Sequence, residues 1–187
     1  MGGMIAQLLA SRHPARVLSL TSIMSTSGRK SLPGPDLKIA LHMVRRPTSG
    51  NPEAVLQHAM RTWRLIGSPA FPPSDEALRE KVERSLRRSY YPAGNARQMV
   101  AILASGDRVS ALQQISAPTL VIHGSADPLV PVSGGMDTAR LVRGAVLELI
   151  DGMGHDLPEA LLPRFVDLIS THADRVGDKE TVAAANF

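Results

Sequence analysis

Two side chains in this sequence have the types and surroundings for proton-transfer chemistry: Asp127 and His155. Asp127 follows the apolar run Thr119-Leu120-Val121-Ile122-His123-Gly124 and stands in Ser125-Ala126-Asp127-Pro128-Leu129-Val130-Pro131, a loop stiffened by two prolines. His155 follows a second run, Val146-Leu147-Glu148-Leu149-Ile150, in Gly152-Met153-Gly154-His155-Asp156-Leu157-Pro158. A short apolar run rich in β-branched residues that halts at a glycine reads as a buried parallel strand. Two such strands bridged by one helix set their trailing loops side by side at the carboxyl edge of the sheet, where open α/β folds place their chemistry. A carboxylate there can orient an imidazole, and the imidazole can then take and return a proton. That is two thirds of a hydrolytic triad.

The order strand-Gly-x-x-Asp-x-x-x-Pro, helix, strand, Gly-x-Gly-His resembles the C-terminal half of an α/β-hydrolase. Members of that family carry nucleophile, acid and histidine in this chain order. The resemblance implies Asp127 as the orienting acid and His155 as the general base. The start of the chain adds to it. In Met1-Gly2-Gly3-Met4-Ile5-Ala6-Gln7-Leu8-Leu9-Ala10, small residues open a run with Ile5, Leu8 and Leu9 at helical spacing, which reads as a buried helix. It resembles the helix that leaves the family's nucleophile elbow, Gly-x-Ser-x-Gly. Laid onto that motif, Gly2 is the last glycine and Met1 holds the oxyanion position, the residue after the nucleophile. The serine itself would stand just before Met1. Met1–Gln7, Leu20–Ser27 and Gly152–Pro158 are similar to bacterial esterases of the aclacinomycin-methylesterase kind.

The elements that must position these residues follow in chain order. His13-Pro14 ends the first helix, because proline disfavours helical geometry at the residue before it. Val17 to Ser25 reads as a strand. Between about Thr26 and Gly106 the period is helical, with no convincing strand. Asn51-Pro52-Glu53 opens one helix with Leu56, Met60 and Trp63 on one face. Ser74-Asp75-Glu76 opens another with Leu78, Val82 and Leu86, and Ala96, Met99, Val100 and Leu103 suggest a third after Tyr91-Pro92-Ala93-Gly94. Val109 to Leu112 is a short approach to the strand at Thr119. After Pro158 comes a closing helix with Leu161, Leu162, Phe165, Leu168 and Ile169 on one side.

The expected fold class is therefore α/β, a partial α/β-hydrolase fold with parallel strands, flanking helices and a helical cap insertion. Its expected parts are residues 1–26 (first helix and strand of the core), 27–106 (cap), 107–176 (C-terminal core with the acid and histidine loops) and 177–187 (an unanchored tail). A cap lies over the catalytic edge and excludes water. That makes Met43, Met60, Trp63 and Met99 candidates for the substrate pocket, against plain helix packing. Asp137 is the runner-up acid should Asp127 point away. Asp151 and Asp156 are expected in solvent, His123 in a structural role, and His42 and His58 without a partner. Ser22, Ser25 and Ser27 lie near the edge of the first strand without the elbow's glycines.

Composition excludes several classes of chemistry. Cysteine is absent, and the six histidines have no metal-ligand spacing. The net charge is +4 and the pI about 10.0, yet Arg79, Arg84, Arg87 and Arg88 interleave with Glu76, Glu80 and Glu83 as on a solvated helix face. Aromatics at 3% leave little on which to stack bases. The expected function is carboxylic ester hydrolysis through a Ser-Asp-His triad, on a small-molecule substrate, without cofactor, metal, nucleic acid or membrane, in the cytoplasm. The alternative is a non-catalytic remnant, or a reading frame begun at an internal methionine, serving at most as an interaction module. The sequence leaves the oligomeric state open.

Overall fold

The computed structural model describes residues 1–45, 47 and 51–184, and beyond Arg175 the backbone alone. Three parallel strands form one sheet in the order β1 (Leu20–Ile23), β2 (Thr119–Gly124), β3 (Val146–Ile150). Leu20 pairs with Thr119, and Leu120 with Val146. Every residue of β2 is buried, which explains why its sequence is continuously apolar rather than alternating. β1 is shorter than the expected span from Val17 to Ser25. Pro14–Arg16 turns as a 3-10 helix, Leu18 is exposed, and Met24 ends the strand with φ +48°.

Helix α1 (Gly2–Arg12) precedes β1 and lies on the sheet through a face that differs from the expected one. Gln7 and Ala10 are buried, whereas Ile5 is 59% and Leu9 49% exposed. Close approach decides the face. A Cβ on Gly3 would stand 2.6 Å from the Cβ of Ser25, so only glycine lets the first turn of α1 rest on the carboxyl end of β1. Gly3, Gln7 and Ala10 are spaced three and four apart and form one stripe.

Between β1 and β2 the chain runs through α2 (Leu37–Val44), α3 (Pro52–Ile66), α4 (Asp75–Arg88), α5 (Pro92–Ala104) and α6 (Val109–Gln113). Asn51 and Ser74 cap α3 and α4 by accepting from the amides of Glu53 and Ala77, as their sequences predict. α2 is an element the sequence reading did not separate; Asp36 caps it just after the Pro33-Gly34-Pro35 turn. Pro92 begins α5 rather than interrupting it, and α5 buries none of its side chains. The approach to β2 is itself the helix α6. Then α7 (Val132–Leu141) joins β2 to β3, and α8 (Leu162–Ala184) closes the chain. Leu161, just before α8, and Phe165 in its first turns are buried, but Leu162 and Ile169 are exposed. The expected tail from residue 177 is helical backbone to Ala184, there being no proline to stop it; residues 185–187 lie outside the described residues.

One face of the sheet is covered by Ala10, Leu20, Leu112, Ile115, Leu141 and Val142, the other by Ile122, Ile150, Met153, Leu161 and Phe165. A separate cluster of Leu56, Met60, Leu78 and Val82 joins α3 to α4. The two chain segments that leave and rejoin the sheet meet at Arg108, which is 3% exposed. Its guanidinium donates to Gln7 Oε1 of α1 at 3.2 Å, to the Thr26 carbonyl at 2.9 Å, and to the Gly106 carbonyl and Ser105 Oγ at 3.1 Å. Gly28 and Gly106 both take positive φ here, and a Cβ on Gly28 would stand 2.9 Å from the guanidinium. No described helix is long and apolar enough to cross a membrane.

Candidate active site

The carboxyl ends of β2 and β3 bring Asp127 and His155 together. β2 ends at Gly124, which has no room for a side chain: a Cβ there would enter the Met153 carbonyl. That contact lets the two loops lie against each other, and the Ala126 amide donates to the Met153 carbonyl at 3.0 Å. Asp127 then folds back on its own loop. Its Oδ1 accepts from the amides of Leu129 at 2.9 Å and Val130 at 2.8 Å. Two backbone donors fix the carboxylate plane and stabilise its charge. Oδ2 is left to face His155 Nδ1 at 2.7 Å. Asp127 is 5% exposed, while the His155 side chain is about a quarter exposed (24%). An Nδ1–H donated to the carboxylate makes Nε2 the basic nitrogen.

The N-terminal end of α1 lies at the same edge, since Gly3 packs against Ser22 of β1 and Ser25 just past its end, and β1 and β2 run in parallel register. Met1 is the residue that leads into this helix. Ser22 accepts from Gln7 Nε2 at 3.2 Å, Ser27 donates to Asp137 at 2.6 Å, and Ser25 Oγ is buried without a hydrogen-bond partner among the described residues. Asp137 is engaged away from the imidazoles. Burial raises its pKa, but Ser27, Arg140 and Arg29 together outweigh burial and hold it below the usual carboxylate range.

His123 is fully buried beside the acid. Its Nε2–H donates to the Val130 carbonyl at 2.8 Å and lies 3.6 Å from Asp127 Oδ2. Burial lowers its pKa more than the Val130 carbonyl and Asp127 raise it. A neutral ring with its proton on Nε2 satisfies all of these contacts. Asp156, expected in solvent, is buried; it accepts from Ser68 Oγ at 2.5 Å, and Ser68 Oγ accepts from the Gly154 amide at 2.8 Å. Neither Ser68 nor the role of Asp156 was legible from residue type; the one sequence signal is Gly67-Ser68 at the end of a predicted helix.

A cavity of about 420 Å³ adjoins this pair without being lined by it. Trp63, Leu78, Lys81, Pro72 and Pro128 are among its walls, with Ala126 and Asp156 next to the acid and the histidine. Of the four pocket candidates, Trp63 lines the cavity, under the Lys81 ammonium at 4.2 Å from its ring. Met60 lies in the cluster between α3 and α4, and Met43 and Met99 are each 39% exposed. His42 and His58, expected alone, stack on each other with ring centres 4.6 Å apart, and His42 Nε2 meets Thr62 Oγ1 at 2.8 Å. Among the described residues no three His, Cys, Asp or Glu converge as metal ligands.

The profile of the alpha/beta hydrolase fold matches residues 1–159. The chain belongs to that family. Rhodomycin D methylesterase DauP of Streptomyces sp. (strain C5) is 26% identical over 191 residues, covering 92% of this chain and 64% of the relative. Pimeloyl-[acyl-carrier protein] methyl ester esterase of Chromobacterium violaceum is 26% identical over 152 residues, covering 79% of this chain and 57% of the relative. The chain thus spans about six tenths of the length of these curated relatives. Among solved structures, a meta-cleavage product hydrolase from Pseudomonas fluorescens IP01 superposes with TM-score 0.72 at 18% identity, over 92% of this chain and 61% of that one. The fold is shared with that enzyme.

Proposed function

We propose that this chain supplies the acid and the base of a serine-type carboxylic ester hydrolase, with a methyl ester as the substrate class. The observation that carries the reading is the 2.7 Å contact from His155 Nδ1 to an Asp127 carboxylate whose other oxygen is held by two backbone amides. Methyl ester hydrolysis is supported by the names of the curated relatives, a methylesterase and a methyl ester esterase.

In this reading Asp127 keeps the proton of the neutral ring on Nδ1 and stabilises the imidazolium that forms. His155 Nε2 removes the proton of the attacking hydroxyl, and the protonated ring then gives it to the departing methoxide as methanol. A water deprotonated by the same nitrogen cleaves the acyl-enzyme and releases the carboxylic acid. The nucleophile acts at the N-terminal end of α1, where the family motif places a serine just ahead of Met1, and the backbone nitrogen of Met1 takes the oxyanion position. α2 to α5 form the cap over this edge, with Trp63 bordering the substrate cavity; Met43 and Met99, each 39% exposed, and Met60, packed between α3 and α4, are weaker members of the pocket set. The test is hydrolysis of a short acyl methyl ester by a protein that carries a serine just ahead of Met1. His155→Ala is expected to lower kcat by about 10³-fold or more. An unchanged rate would contradict the triad.

A further inference from the structure

The loop that carries His155 is held from two sides, by the loop after β2 and by the segment leaving α3. The His155 amide donates to the Ile66 carbonyl at 2.7 Å, and the Ala70 amide donates to the Gly152 carbonyl at 3.2 Å. Between these two backbone links, Ser68 Oγ accepts from the Gly154 amide and donates to Asp156 Oδ1, so one hydroxyl ties the residues on both sides of the histidine. Ser68 is 3% exposed, and Asp156 7%. The contact is too tight for side chains: a Cβ on Gly154 would enter the Gly67 carbonyl, and one on Gly152 would enter the Ala70 methyl group. The histidine loop and the end of α3 are thereby one interlocked unit.

We propose that Ser68 is a positioning residue for the base. Its hydroxyl sets the seat of the histidine loop, so that where the α3 end rests determines whether His155 Nδ1 meets Asp127. The inference builds on the assignment of His155 as base, but it concerns the link between that base and the helical insertion, which no family motif specifies. Leu65, Gly67, Ser68 and Pro69 also line the 420 Å³ cavity, so a group that fills the cavity bears directly on this seat.

Removing the hydroxyl strands two buried polar groups, the Gly154 amide and Asp156 Oδ1, and a loop so released opens more readily. The experiment uses the chain as it is, with proton NMR and amide hydrogen exchange. In the unaltered chain the Nδ1 proton shared with Asp127 is expected as a resolved downfield resonance. In Ser68→Ala that resonance is expected to broaden or disappear, and the Gly154 and His155 amides to exchange on the order of tenfold faster. Ser68→Thr, which keeps the hydroxyl, is expected to restore both. A resonance and exchange rates unchanged in Ser68→Ala would overturn the proposal while leaving the pairing of Asp127 with His155 intact. Absence of the resonance in the unaltered chain at any pH would instead count against that pairing. Should Ser68→Ala fail to fold, exchange in the unaltered chain decides: Gly154 and His155 are expected to exchange together with Gly67 and Ala70. Opening of the histidine loop while the α3 end remains protected would overturn the clamp.

Discussion

His123 and His155 are the same residue type within a few ångströms of one carboxylate, and their surroundings give them different work. His155 is partly exposed and turns Nδ1 to Asp127, which leaves Nε2 for the proton transfer proposed for it. His123 is sealed: Nε2 is spent on the Val130 carbonyl, and Nδ1 lies buried against Gly135 with no hydrogen-bond partner among the described residues. A group buried neutral makes stability depend on pH. Burial holds the folded pKa of His123 below its ordinary value of 6.5, so below that pH the unfolded chain binds the extra proton and the folded chain does not. Stability from this source is therefore complete above about pH 6.5 and falls as the pH drops toward the folded pKa. Urea titrations at several pH values are expected to give a stability that rises with pH through this window, and His123→Asn is expected to flatten the rise. An equal slope in the variant would mean that another group carries it. The role of His123 as a structural residue beside the acid was legible in its place at a strand end, but the sealing depends on Gly135, from the following helix.

At the scale of elements, the polar contacts that matter join segments far apart in the chain, and these are what residue patterns conceal. α3 and α4 were legible because capping side chains and a four-residue apolar repeat are local signals. The buried face of α1 was not, because it is chosen by the close approach of Gly3 to Ser25 rather than by hydrophobicity, and Ile5 and Leu9 point away. Arg108 is a sharper case. No pattern around Asp107 and Arg108 marks it, yet it is buried and donates to four neutral oxygens from α1 and from both ends of the helical insertion. Burial lowers its pKa, but an arginine remains charged at neutral pH, so these contacts are charge-assisted. Arg108→Met would leave Gln7 Oε1 buried without its donor and would take a donor from the half-buried Thr26 carbonyl as well. The expected loss is about 3 kcal/mol of unfolding free energy, read from the shift of the urea midpoint at constant slope. Arg108→Lys is expected to recover less than half, because one ammonium cannot span oxygens that the planar fork reaches together. A loss under about 0.5 kcal/mol in the methionine variant would show that the staple is dispensable.

At the scale of the molecule, the densest basic cluster of the sequence resolves into local pairs. Arg79 pairs with Glu53 and Glu83, Arg84 with Glu80, and Arg87 with Glu83, all on exposed surface of α3 and α4 where such pairs contribute little to stability. The α/β class and the loops that bring Asp127 to His155 were legible because a buried parallel strand is continuously apolar and its trailing loop carries the polar residues. The clamp on the histidine loop was not, because it joins residues some eighty positions apart through backbone carbonyls and one serine. These levels converge on one claim: Asp127 and His155 act as a single unit in ester hydrolysis. Its most direct test is the kcat for methyl ester hydrolysis in Asp127→Asn, His155→Ala and the double variant. Asp127→Asn is expected to cost about 10⁴-fold, as a carboxylate that only orients the ring does, and the double variant should be no slower than the slower single one. Losses that multiply in the double variant would mean two independent roles and would contradict the account.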